Sequence, residues 1–183
     1  MALQTVHRGL RQLRIASWTS SNVYGTSYLI RGARSMNVEI VVETDELRGD
    51  DVVIDRYTKV VSANVNLEMA TVDLSAYDML TGATLTSTAA YEDLKIAESD
   101  EVPYVALAGR VVGSGGVGDL HIFIAKAKLA GNIALQAQQD TFILPAAQFQ
   151  GVHEGTVNGI YRLRNFASAT ALEIPLRTAV GGL

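Results

Sequence analysis

Along most of this chain, apolar and polar positions alternate with a period of two. Val38, Ile40 and Val42 are interleaved with Asn37, Glu39 and Val41, and a run through Val60, Val61, Ala63, Val65 and Leu67 carries Ser62, Asn64, Asn66 and Glu68 on its other face. Side chains of an extended segment point alternately to opposite sides, so these runs predict two half-buried strands; the β-branched residues and Gly punctuation point to antiparallel pairing. Further strands are predicted over 83–88, 91–97, 104–112, 120–129, 132–141 and 147–153, with turns at Gly131 and in the Gly-rich stretch 113–118. Leu10, Leu13 and Ile15 predict a first element followed by a long polar loop, S-W-T-S-S-N-V-Y-G-T-S. Near the other end, Ile160, Arg162 and Arg164 alternate with Tyr161 and Leu163 as a last strand, and 178–183 reads as a frayed end.

One segment breaks the period. Leu74, Tyr77 and Leu80 recur at three-residue spacing, Asp73 stands where an N-cap belongs, and Gly82 follows as a stop, which predicts one short helix. The fold class expected is therefore mainly β, an antiparallel β-sandwich or barrel-like domain with one short flanking α-helix.

Composition bounds what such a domain can do. With 183 residues and 48% apolar content, a single domain with a full core is expected, its N-terminal segment (1–34) and C-terminal extension (155–183) standing outside the regular pattern. Charged residues are 19% and the net charge is -4, which argues against a surface built to neutralise nucleic-acid phosphates. Without cysteine, neither disulfides nor thiolate metal sites are possible. No apolar run approaches the roughly 20 residues of a membrane helix, and the opening M-A-L-Q-T-V-H-R-G-L-R-Q-L-R lacks the apolar stretch of a signal peptide, so a soluble protein made in a cytoplasm is expected.

Three motifs invite chemistry. Gly113-Ser-Gly115-Gly-Val-Gly118 fits the dinucleotide-binding spacing, with Asp140 about twenty residues on, but it is followed by D-L-H-I-F-I-A-K-A-K-L, a β pattern where a cofactor site needs a helix N-terminus; a hairpin loop is the better reading. His7, His121 and His153 are scattered singly, so neither a triad nor a histidine metal site is indicated. In E-T-D-E-L-R-G-D-D, five carboxylates fall within nine residues. A calcium loop starting at Asp45 would need Glu at its twelfth position, where Arg56 stands, and Asp50 and Asp51 point apart if extended, so no acid/base pair forms. The stretch reads as a solvated connection between two strands, bent at Gly49, with Arg48 and Arg56 as internal counter-charges. No catalytic residue, cofactor or metal is expected.

Taken in order, T-D-E-L-R-G-D-D-V-V-I, the strand ending V-N-L-E-M, then A-T-V-D-L-S-A-Y-D-M-L-T-G-A-T, and further on D-L-H-I-F-I-A-K-A-K-L-A-G-N-I-A-L-Q-A-Q-Q-D-T-F-I-L-P, resemble the major tail tube proteins of long-tailed, siphovirus-type bacteriophages over residues 35–153. The resemblance implies a non-enzymatic structural virion protein. Its copies would form hexameric rings stacked into a tube, assembled in the host cytoplasm and ending in the virion tail. It further implies a tape measure protein in the lumen, tail terminator and tail tip proteins as partners, genomic DNA passing through without specific binding, and no membrane anchor. On this basis 44–55 is expected to contact a neighbouring subunit or ring, with Asp45, Glu46, Arg48, Asp50, Asp51 and Arg56 as polar participants, and Lys126 and Lys128, which share a strand face, are candidates for an interface or the lumen. The alternative is a phage or bacterial β-sandwich that binds carbohydrate or protein, which would need a concave aromatic patch.

Overall fold

The computed structural model describes residues 7–50, 52–114, 118–135, 145–155 and 159–175. Its elements are β1 (His7–Ser20), β2 (Val23–Tyr24), β3 (Tyr28–Ile30), β4 (Ala33–Gly49), β5 (Val52–Met69), α1 (Leu74–Thr81), β6 (Thr84–Ser87), β7 (Glu92–Lys95), β8 (Val105–Gly113), β9 (Asp119–Leu129), β10 (Ala146–Gly151) and β11 (Arg162–Asn165). Among the described residues, nine strands form one antiparallel sheet in the order β2-β1-β8-β9-β10-β5-β4, with β3 also paired to β1 and β11 to β9; β6 and β7 form a separate two-stranded sheet.

The alternation in β8 shows why the sheet centre is stable. Val105 and Leu107 enter one apolar cluster with Leu13, Ile15, Ile124, Val65, Leu67 and Phe149, and α1 covers that face with Ala76, Tyr77 and Leu80 while Leu94 of β7 packs alongside. Ala106 and Ala108 face the other way, into a second cluster with Phe123, Ala125 and Leu172. A strand covered on both faces reads as a continuous apolar run, which is how V-A-L-A-G appears. The resulting layers are sandwich-like, and the large sheet also curls. A Cβ on Gly109 would lie 2.7 Å from the Met36 sulfur, so the glycine makes room where the root of β4 comes over β8.

The predicted helix is present with both of its caps. Asp73 is extended and its carboxylate accepts from the Ala76 N–H at 3.2 Å, while Tyr28 donates its hydroxyl to the same group at 3.0 Å. Gly82 takes the left-handed conformation, φ 70°, and its N–H reaches the Asp78 carbonyl. Strands were expected close to where β6 to β11 lie, except that 136–141 of the run 132–141 falls outside the described residues and Ala134 forms only an isolated bridge with Ala146. The N-terminal expectation needs correction. Residues S-W-T-S belong to β1, a 14-residue strand, because Ser17 and Trp18 continue the β1 pairing: Ser17 lies opposite Val105 and the Trp18 N–H donates to the Tyr104 carbonyl. The β1–β2 turn is closed by Asn22, φ 59°, whose N–H donates to the buried Glu154 carboxylate at 2.6 Å.

The second apolar face is covered by the segment after β11, held by a buried polar pair. Asp119, 1% exposed, accepts from the Thr170 N–H at 2.9 Å and from the Arg110 guanidinium at 2.8 and 2.9 Å. Burial pulls the Asp119 pKa upward, but the Thr170 N–H, Arg110 and the Gly113 backbone outweigh it and hold the carboxyl below its usual range. His121, beside Phe166, has a ring nitrogen 3.2 Å from the Thr170 carbonyl; burial depresses its pKa below the ordinary histidine value, against the raising influence of Thr170 and Asp119.

Two outcomes follow. Asp73→Ala removes the cap acceptor and should cost about 1 kcal/mol in urea denaturation, whereas Asp73→Asn should retain most of it. Because the folded His121 favours the neutral ring, its stabilisation is complete above the ordinary value of 6.5 and is lost as pH falls below it; Asp119, with a depressed pKa, loses its share only at more acidic pH. The urea midpoint should therefore drop between pH 7 and pH 5, and His121→Gln should flatten that drop.

Candidate assembly surface

Beyond the core, β4 and β5 continue as a two-stranded arm. Core contacts end near Ala63, which is fully buried, whereas Val42 is 55%, Ile54 67% and Val60 52% exposed, with Leu47, Val52 and Tyr57 also exposed. The expectation that the whole 60–67 run is half-buried thus holds only from Ser62 inward. Val60 and Val61 are partly exposed at the root of the arm, where Val60 lines a pocket with Ile40, His153, Ile160 and Tyr161, and among the described residues β10 pairs with β5 no farther out than Ala63. The β4 side of the arm, residues 42–49, at ~3.4 Å per residue makes it about 25 Å long.

The expected solvated connection at 44–55 is instead mostly ladder. Thr44 pairs with Thr58, Asp45 with Tyr57, Glu46 with Arg56 and Leu47 with Asp55, with a bulge before Arg48 pairs with Val53. The chain reverses after Gly49, around Asp50, whose φ is 49°; Asp51 lies outside the described residues. Backbone alternation divides the acids between two faces. Glu46 shares a face with Arg48 and Arg56 and bridges both, at 2.9 and 2.5 Å. Glu43, Asp45 and Asp55 lie on the other face, where Glu43 meets Lys59 at 3.2 Å and the side-chain hydrogen bond raises the lysine above its ordinary pKa. Arg48 and Arg56 are thus the internal counter-charges the sequence led us to expect, centred on Glu46. Exposed pairs of this kind are screened by water and contribute little, and an isolated two-stranded ribbon is marginally stable in water.

Lys126 and Lys128 do share a face, and both engage aromatic rings. The Lys126 ammonium lies 4.0 Å from the Trp18 ring centroid and 4.4 Å from that of Tyr104, and Lys128 lies 5.3 Å from Tyr104. Cation–π contacts of this geometry tie β9 to β1 across the intervening β8 end. Lys128 also stands opposite Gln150, on a face that continues through Asn64 and Asn66 of β5.

The exposed apolar positions of the arm were missed as a surface because alternation looks the same whether a strand packs on its own core or on something else. The signal available was length: 17 and 18 residues are far more than one small core can cover. β4 is the terminal strand of the sheet, so along the arm one row of its backbone N–H and C=O groups has no ladder partner among the described residues. Neither a scan against protein-family models nor a search of curated proteins found a match to this chain.

Proposed function

We propose that this protein is a self-assembling structural subunit, the major tail tube protein of a tailed phage or phage-derived particle, and that it has no enzymatic role. The observation that carries this reading is the arm: a long, solvent-exposed, apolar-rich ribbon with an unpaired edge is a liability for a monomer and an asset for a chain that meets copies of itself. In a ring of identical subunits each exposed edge finds a partner, and stacked rings give a tube through which DNA passes.

The face bearing Asn64, Asn66, Gln148 and Gln150 supports the same reading. It offers hydrogen-bonding groups, and its two lysines, Lys126 and Lys128, are balanced on the same face by Glu39 and Glu68, so it presents no excess of positive charge to a polyanion sliding past. The binding-module alternative is less well supported, because the Trp18 and Tyr104 rings that would form a platform are already stacked with Lys126, and Tyr24 packs edge-on against Phe123.

Negative-stain microscopy of purified protein tests the reading: rings or tubes are expected, and a species that stays monomeric at high concentration overturns it. Reversing the tip, Asp50→Lys with Asp51→Lys, should leave the subunit folded but impair polymerisation. Ile54→Asp, at an exposed position, should shift the urea midpoint by no more than about 0.5 kcal/mol equivalent while reducing tube formation.

A further inference from the structure

Charge is segregated along the first third of the chain. Residues 1–34 contain Arg8, Arg11, Arg14, Arg31 and Arg34 and no Asp or Glu, whereas residues 35–55 contain seven carboxylates and the single cation Arg48. The fold puts the two groups on different elements, the arginines mainly on β1 and around β3, and the carboxylates on the arm. No ion pair joins the two groups within one chain among the described residues; the arm's own bridges are those of Glu46 and Glu43.

Two of the arginines are displayed by defects in the ladder. In β1, His7 pairs with Gly113 and Leu10 with Val111, so Arg8 and Gly9 together oppose one residue; Leu10 and Gln12 then pair with Val111 and Arg110, leaving Arg11 as an extra residue. A bulge frees a side chain from regular alternation and turns it outward, and Gly9, φ 75° with open space around its Cα, permits the first of them. Arg8 and Arg11 are both exposed and make no ion pair among the described residues, as is also true of Asp45 and Asp55 on the arm. Beside β1, the short strands β2 and β3 expose Val23 and Leu29.

We infer that the arm of one copy seats on the β1–β3 side of a second copy, with Asp45 and Asp55 facing Arg8 and Arg11. The inference rests on the self-assembly reading and specifies its contact. Leu29 of β3, opposite Arg14, adds an exposed apolar position beside the arginines, and the segregated charges set which surface meets which. Opposite charges across such a contact fix register and reject like-to-like pairing, arm on arm or β1 on β1. Because the two surfaces differ, the contact is heterologous, and repetition closes a ring or propagates a filament instead of stopping at a dimer.

A charge-swap series tests this. The arm variant Asp45→Lys/Asp55→Lys and the strand variant Arg8→Glu/Arg11→Glu change exposed residues, so both should match the wild-type circular dichroism spectrum and urea midpoint. Each alone should raise the protein concentration at which light scattering reports assembly by roughly tenfold or more. An equimolar mixture should assemble again, since every arm then meets a complementary strand in an alternating series, and so should the chain carrying all four changes. If wild type assembles but either single variant assembles equally well, or the mixture and the four-fold variant are no better than the singles, the contact is wrong while self-assembly stands. A wild type that never assembles overturns both.

Discussion

The structure depends on the burial of β8 and β9 on both faces at once. Large side chains, Val105, Leu107 and Ile124, point into one cluster, and small or flat ones, Ala106, Ala108, Ala125 and Phe123, into the other. The small side chains let the segment carrying Leu172 lie close on one side, while α1 and β7 pack over the larger ones on the other. Strands farther from this centre have progressively less covering them. β5 is buried at Val65, Leu67 and Met69 and bare at Ile54, so one strand passes from core to open surface along its own length. The exposed arm is the geometric result of a ladder that outruns the layers available to bury it.

Electrostatics follow the same gradient. At the covered centre, Asp119 is held by three donors from Arg110 and Thr170, because a carboxylate removed from water must replace the hydrogen bonds it loses. At the arm, Glu46 and Glu43 keep water and meet their cations as exposed pairs that cost little and contribute little. The Lys126 side chain is intermediate, lying against two aromatic faces.

Much of this was legible in the sequence. The helix could be read because its two ends depend on local chemistry, an Asp73 side chain three residues from the N–H it accepts and a Gly82 whose left-handed backbone needs no Cβ. The strands could be read because their period is imposed by the backbone. What was not legible required knowing which layer covers what. S-W-T-S looks like a loop by composition and is a strand because Val105 pairs with Ser17 and Tyr104 receives the Trp18 N–H. The acidic stretch looks like a turn by charge and is mostly ladder, since Thr58, Tyr57 and Arg56 lie opposite it. The bulges that display Arg8 and Arg11 are set by register with β8, information no single strand contains.

The covering of the second face has a consequence in time. Phe123 and the alanines of β8 are completed by Leu172 and Ile174, some fifty residues beyond Phe123, and the polar latch between Asp119 and Thr170 spans a similar gap. During synthesis on a ribosome the β1-β8-β9 ladder can form as soon as β9 emerges, yet one side of it stays wet until the strap has cleared the exit tunnel. The nascent chain therefore passes through an interval with an open apolar face, and its length is set by translation speed.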